Sequence, residues 1–492
     1  MHKTTPRTVA LALRLRRCAA SLVVLGAAGC TTMAPTYERP EVAAQAVSFK
    51  EAPSTPGWHA AKPADEQARG PWWLPFGDPT LSEMLPQVEV SNQNVAAAVA
   101  RYAVAQALVA GQQAQLKPQL QLTASATRSG VGIATSGGVA TSGGVSVSPT
   151  VTTLRVAANA SWELDVWGRL RTSVEQAQAN AQASAADLAG AKLSAQAALA
   201  TAYFNLREAD AELMLLRDTV AGYERSLEIT NNRYAAGQAA RTDVLQAQTQ
   251  LANTRADTAA LAIQRQQSEH AIAVLLGKAP ADFALAPGPW TTTVPEVPPA
   301  LPSELLQRRP DIASAERAVA AANAGIGVAR AAYYPSLSLG ATAGTSGVRF
   351  VDLFDAANTL WSLGLSLAQV LFDGGALDAA LKGAEASRGV TIAGYRQTVL
   401  TAFQSVEDLL AQRRGLSEQL ALRQQASAAA DLTEQQVLNR YRAGQVGYTD
   451  VVTAQASALA ARRSVVQLQV GLQTNAVALV QAIGGGWSAE AH

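Results

Sequence analysis

Asn232 to Gln248 reads NRYAAGQAARTDVLQAQ, and Asn439 to Gln455 reads NRYRAGQVGYTDVVTAQ. The two align without a gap at an offset of 207 residues, and 11 of the 17 positions are identical. Unrelated segments would share about one, so the chain carries an internal duplication. Each copy closes one helix-like run with Tyr-x-x-Gly and opens another with Thr-Asp-Val. Glycine can supply the left-handed residue that stops a helix. The Thr and Asp that follow can cap the next helix and suit its positive end. Each copy is read as a helical hairpin tip.

Outward from the first tip, Arg169 to Tyr234 reads as one helix, and 242–276 runs back. Positions 199, 202, 206, 209, 213, 216, 220, 223, 227, 230 and 234 alternate steps of three and four and form a coiled-coil seam. Some 65 residues at 1.5 Å each make roughly 100 Å, far more than a globular domain needs. The second half repeats the arrangement over 376–441 and 449–483. Between Tyr203 and Asn232 lie 29 positions, and between the matching Phe403 and Asn439 lie 36. The difference is one heptad, which preserves the helix face.

Further out, helices are expected over 91–116 and 308–333, each meeting a proline, Pro118 or Pro335. The period then switches to two. Strands are expected at about 118–128 and 151–166 in the first half, and at about 335–345 and 359–372 in the second. In 153–166 the even positions are apolar (Leu154, Val156, Trp162) and the odd ones largely polar (Arg155, Asn159, Glu163), at a length suited to a tilted membrane strand. The loop 129–149, with its repeated ATSGGV, reads as mobile. Taken singly, each strand fits a half-buried sheet of a soluble domain; four, paired as hairpins in an exported chain, favour a barrel.

Nine prolines between Pro35 and Pro86, and eight between Pro280 and Pro310, mark the stretches where long elements cannot run. Residues 31–86 read as an extended lead-in with Trp72, Trp73 and Phe76 as anchors. Only 16% of residues are charged, 5% are aromatic and the net charge is +1. This balance, without a Lys/Arg-dense block, gives no support for a nucleic-acid partner. No later segment has 18 consecutive apolar residues, so no transmembrane helix is expected.

The N-terminus reads as an export signal over 1–29, with a basic region followed by the apolar run Ala19 to Ala28. Ala27-Ala28-Gly29-Cys30 resembles a bacterial lipobox with Ala27 in place of the usual Leu. The resemblance implies acylation of Cys30, and Thr31 after it favours export to the outer membrane. Cys18 is lost with the signal, so the mature chain keeps one cysteine and forms no internal disulfide.

Four amphipathic strands cannot close on themselves, because an open edge in lipid leaves amides unsatisfied at several kcal/mol each. Closure takes eight strands from two chains, twelve from three or sixteen from four. An eight-stranded barrel is filled by its own side chains, so an open pore requires at least a trimer.

Leu301-Pro302-Ser303-Glu304-Leu305-Leu306, Arg308-Arg309-Pro310-Asp311-Ile312 and Tyr334-Pro335-Ser336-Leu337-Ser338-Leu339 resemble the outer-membrane efflux proteins, the TolC-like outer-membrane factors. Pro35-Thr36-Tyr37-Glu38-Arg39-Pro40 and Phe76-Gly77-Asp78-Pro79 resemble the lipoprotein branch found in multidrug efflux systems. The similarity spans essentially the whole mature chain.

The resemblance implies a mixed α and β membrane protein. Three chains would share one 12-stranded outer-membrane β-barrel, continuous with a long periplasmic α-helical barrel. It implies the passive exit duct of a tripartite pump, partnered by a periplasmic adaptor protein docked on the tips. An inner-membrane transporter, of the resistance-nodulation-division type, would supply the energy. Residues 30–90, the proline-rich 280–307 link and the tail 484–492 would form an equatorial belt. The repeats would occupy 91–279 and 308–483, with tips at 234–242 and 441–449.

For the tips, the resemblance implies a periplasmic gate made by Asp243, Tyr441 and Asp450. Three copies of Asp450 around an axis would repel one another yet bind cations; a plain helix-capping role is equally compatible with the sequence. Asp243 and Tyr441 match positions that link neighbouring tip helices in some relatives. A phenol–carboxylate hydrogen bond there is worth about 1.5–3 kcal/mol if shielded from water. Thr453 stands where some relatives carry a second acid. Tyr234, Gly237, Tyr441 and Gly444 are expected to meet the adaptor. The four histidines are dispersed, and no catalytic motif, metal site or cofactor fingerprint is present in the sequence. Two rivals remain: a duct for type I protein secretion or metal-ion efflux, and a periplasmic coiled-coil scaffold lipoprotein.

Overall fold

The computed structural model describes residues 33–41, 49–51, 70–130, 150–288, 290–295 and 308–485. The signal peptide, Cys30, the ATSGGV loop and the end of the tail lie outside the described residues. Eleven principal elements follow in order. They are α1 (Pro79–Ser91), α2 (Gln93–Gln115), β1 (Gln119–Ser129), β2 (Val151–Glu163), α3 (Arg169–Ala235), α4 (Arg241–Leu275), α5 (Pro310–Ala331), β3 (Ser336–Gly347), β4 (Thr359–Ala368), α6 (Ala376–Arg442) and α7 (Tyr448–Ala482).

The chain divides into two compact units. The first holds Val104–Ala181 and Arg317–Ile392, and with them all four strands. The strands form one antiparallel sheet in the order β1-β2-β3-β4. Its register puts Leu122, Ala158, Ala343 and Trp361 in one row, and Leu120, Ala160, Ala341 and Leu363 in another on the same face. Between them runs Gln121, Asn159, Thr342 and Ser362 on the opposite face. That polar face is hydrogen-bonded: Asn159 Nδ2 donates to Thr123 Oγ1 of the neighbouring row at 2.9 Å, and Thr342 Oγ1 donates to Asn159 Oδ1 at 3.0 Å. The apolar rows face outward without cover, Leu122 and Trp361 being 74% and 79% exposed. Both β1 and β4 end the sheet with an unpaired edge.

The two strand-to-helix corners are built alike. Asp165 accepts the backbone N–H groups of Leu170 and Arg171, each at 2.9 Å, and Asp373 accepts those of Gly375 and Leu377 at 2.8 and 2.7 Å. Gly168 and Gly374 take the positive φ, 75° and 66°, that these corners require. Trp167 stacks on Tyr334 with ring centroids 4.9 Å apart. The β-period expectation ran on to 166 and 372; the strands end at Glu163 and Ala368 because the corner aspartates draw the chain into the next helix.

The second unit holds Pro40–Ala103, Gln182–Glu316 and Ala393–His492. Its core gathers Trp72, Phe76, Leu81 and Leu85 with Leu199, Tyr203, Phe204, Leu206 and Val480. Along α3 the expected seam is buried at Leu199, Leu206, Ala209, Leu213, Leu216, Tyr223 and Thr230, and half-buried at Ala202, Val220 and Leu227. It stops one step short: Tyr234 stands 43% exposed.

The lead-in is not wholly extended. Residues 79–91 form α1, with Pro86 inside it and facing solvent. Asp78 caps this helix by accepting from Leu81 N at 3.0 Å, and Pro79 occupies the first turn, where its missing N–H costs nothing. Leu81, Met84, Leu85 and Val88 then supply the helical stripe that packs inward. Asp78 also accepts from the Tyr203 hydroxyl at 2.6 Å, and Arg207 Nε donates to that hydroxyl at 3.1 Å. Burial, and then the bond to Asp78, push the Tyr203 phenol up to about 12, so it remains a donor.

Two further expectations are corrected. The long helices α3 and α6 are 67 residues each, and α4 and α7 are 35 each, all at the constant offset of 207. Leu410 rather than Phe403 is therefore the equivalent of Tyr203, and no heptad is inserted. The length difference between repeats falls instead between the strands, 130–150 against 348–358. And α2 is long and apolar enough, by length and composition, to cross a membrane. Its hydropathy comes from nine alanines with four valines and a leucine, and such small residues suit close helix packing as well as lipid.

Replacing Asp78 by Ala removes a cap and the buried acceptor of Tyr203. The protein should lose about 2–4 kcal/mol of stability, read as an earlier denaturant midpoint, whereas Glu83→Ala on the exposed face of α1 should leave the midpoint in place.

Candidate functional site

The two tips belong to the second unit and are made by the same backbone device. After α3, Gln238 N donates to Arg233 O at 2.8 Å and Gly237 N to Tyr234 O at 2.9 Å, with Gly237 at φ 70°. After α6, Gln445 N donates to Arg440 O at 2.9 Å and Gly444 N to Tyr441 O at 2.9 Å, with Gly444 at φ 76°. This is the Schellman closure, and only glycine takes the left-handed position without strain. The sequence expectation that Thr and Asp cap the return helices is corrected. The caps are Ala240 and Gly447, neither making a side-chain capping bond, while Asp243 and Asp450 sit inside the first turns. Their charge therefore acts on the positive helix end rather than on a particular N–H.

The side chains differ between the tips. Tyr441 is buried, at 4% exposure, and its equivalent Tyr234 is not. The Arg233 guanidinium lies 4.6 Å from the Tyr441 ring centroid and donates to the Tyr441 carbonyl at 2.6 Å. The Tyr441 hydroxyl is 3.3 Å from Thr230 Oγ1, and the ring meets that of Tyr448 edge-on at 5.3 Å. Ala247 and Val451 complete the cluster. Burial first, then the neighbouring Tyr441, Tyr223 and Asp243, push the Tyr448 phenol up to about 12. One chain thus locks its own two hairpins together with a cation over a ring, a hydrogen bond and an aromatic pair.

Of the expected gate residues, Tyr441 lies in this lock, Asp243 is half-buried beside it, and Asp450 is exposed. Among the described residues no hydrogen bond joins Tyr441 to Asp243 within the chain. Of the expected docking residues, Tyr234, Gly237 and Gly444 are all exposed. Sequence reasoning missed Arg233 and Tyr448, and gave Thr230 a place in the seam but no part in the tip contact. Arg233 could have been found, since the Asn-Arg-Tyr of both repeats is identical and an arginine at a helix C-terminus has carbonyls to meet.

Residues 84–278 and 301–485 match the family model for the outer membrane efflux protein. The chain belongs to that family. It is 32% identical over 471 residues to the probable efflux pump outer membrane protein TtgC of Pseudomonas putida, covering 95% of each chain. To the cation efflux system protein CusC of Escherichia coli it is 30% identical over 470 residues, covering 94% of this chain and 97% of the other. The solved structure of the outer-membrane channel OprN superposes with a TM-score of 0.81 at 30% identity, covering 92% of this chain and 99% of that one. The four-stranded sheet and long paired helices are therefore those of an outer-membrane channel, in an efflux family rather than an enzyme family.

Replacing Arg233 by Ala removes the cation over Tyr441 and the donor to its carbonyl. Amide exchange over 436–448 should quicken roughly 5- to 30-fold, the equivalent of about 1–2 kcal/mol, while exchange in the sheet stays unchanged.

Proposed function

We propose that three copies of this chain form the exit duct of a tripartite efflux pump in the outer membrane. Each copy contributes four strands to one twelve-stranded barrel, and the helices continue it into the periplasm. The observation that carries this reading is the sheet with two unpaired edges and an uncovered apolar face. In lipid, the free amides of β1 must find the free carbonyls of a neighbour's β4. The helices support the same closure. Val470 on α7 is 2% exposed, whereas its repeat equivalent Ile263 on α4 is 57% exposed. The face that α7 covers within the chain is the one α4 offers to the next copy.

The duct is passive. An inner-membrane transporter, of the resistance-nodulation-division type, supplies the energy. A periplasmic adaptor meets the tips at Tyr234, Gly237, Tyr441 and Gly444. Asp243, Tyr441 and Asp450 form the gate, and Cys30 carries the lipid. Residues 30–90, 280–307 and 484–492 form the belt. Its described parts support this: Lys50 N and Glu51 N donate to Glu407 at 2.7 and 3.0 Å, Glu51 pairs with Arg414 at 2.7 Å, and Trp290 Nε1 donates to Gln473 at 2.9 Å. The cargo is a drug or other small molecule.

Purified protein in a planar bilayer tests the reading. Asp243→Ala with Asp450→Ala should raise single-channel conductance, and unchanged conductance refutes the gate. Gly444→Trp, which puts a bulky side chain on a left-handed turn at the exposed tip, should leave assembly intact and abolish drug export. Normal export by that variant would count against adaptor docking there.

A further inference from the structure

The four strands carry three charged side chains, Arg128, Arg155 and Glu163. The register separates their roles. Arg128 pairs with Thr152, one row beyond Leu154 on the face of the uncovered leucines. Glu163 stands on the opposite, polar face with Asn159, but its charge is answered on the spot. Arg169 Nη2 donates to both its carboxylate oxygens at 2.8 Å.

Arg155 also stands on the polar face, in one row with Ser125 and Ser346. The neighbouring rows of that face hold Thr153 with Thr127, and Ala157 with Thr123 and Gly344, none of them an acid. Arg155 is exposed, and among the described residues it has no hydrogen-bond or ion-pair partner. The water-facing side of the sheet therefore holds one charge without a counter-charge, and that charge is positive. On a barrel strand, lumen-facing residues tune selectivity.

Resting on the trimeric reading above, we propose that three copies of Arg155 form a ring around the barrel axis that favours anions over cations, and that the cargo this lumen suits is a small organic anion. Twelve strands about 4.8 Å apart, tilted by about 40°, close on a backbone radius of roughly 12 Å. An extended arginine covers about half of that. The guanidinium groups thus stand within about one Debye length, roughly 10 Å at 0.1 M salt, of any ion on the axis. A ring of one sign gathers counter-ions and turns co-ions away. A carboxylate or phosphate can also accept two parallel hydrogen bonds from a guanidinium, whereas a divalent metal ion meets three like charges.

Reversal potentials in planar bilayers under a KCl gradient test the ring. The full-length protein carries Asp243→Ala with Asp450→Ala, which takes the tip carboxylates, of opposite sign, out of the comparison. At about 0.1 M salt, Arg155→Gln should lower the chloride-to-potassium permeability ratio roughly two- to fivefold. Arg155→Lys should keep the ratio, and Arg155→Glu should carry it below that of Arg155→Gln. Near 1 M, where the Debye length is about 3 Å, the variants should converge. The same series with the tip unaltered should shift in the same direction. Light scattering reports the assembly state separately. A conducting trimer whose ratio moves with neither Arg155→Gln nor Arg155→Glu overturns the ring and leaves the duct standing. A protein that forms no conducting trimer, with or without these substitutions, overturns both.

The cargo class has its own readout. With benzoate replacing chloride on one side, the benzoate permeability should fall in Arg155→Gln by a similar factor. If benzoate passes equally well through the parent and Arg155→Gln, the assignment to organic anions is wrong.

Discussion

A backbone amide in hydrocarbon has nothing to bond but another backbone, and this chain brings to the membrane a sheet that cannot satisfy that demand alone. Its β1 and β4 each leave one side of the ladder open. The uncovered leucines and Trp361 on one face, and the hydrogen-bonded Asn159 and Thr342 on the other, show which side is meant for lipid and which for water. The corner aspartates Asp165 and Asp373 turn the strands into α3 and α6, and Lys50 and Glu51 donate their backbone N–H groups to Glu407 on α6.

Much of this was legible in the sequence because the duplication states the architecture twice. The expected helices begin and end within two residues of where the periodicity and the Tyr-x-x-Gly signals put them. The strands were legible because an alternating pattern in an exported chain has few other uses. What escaped was of two kinds. Helix α1 was hidden by the density of prolines around it: Pro79 at its start and Pro86 on its open face are tolerated, and the stripe Leu81, Leu85 and Val88 was the better guide. The heptad insertion came from pairing Tyr203 with Phe403 as aromatics, when the structural equivalent is Leu410.

The tip was read in outline but not in its contacts. Gly237 and Gly444 take the conformation that only their lack of a Cβ allows, which the motif announces. The roles of Thr230, Arg233 and Tyr448 depend on which hairpin lies beside which, and that arrangement is not in any local pattern. The same motif is used oppositely in the two repeats, Tyr441 inward and Tyr234 outward. The shared Asn-Arg-Tyr therefore yields a buried ring in the second repeat and an exposed one in the first.

The equal lengths of the paired helices restrict how such a gene can change. Seven residues added to α3 alone would carry its end about 10 Å beyond the matching end of α6, and Arg233 would no longer reach Tyr441. A length change in the helices must therefore be matched in both halves to keep this contact, whereas the connections between the strands already differ in length, 130–150 against 348–358. The two halves differ in many side chains yet match in helix length, 67 and 35 residues in each, so the contact between the tips depends on helix length as much as on the residues that make it.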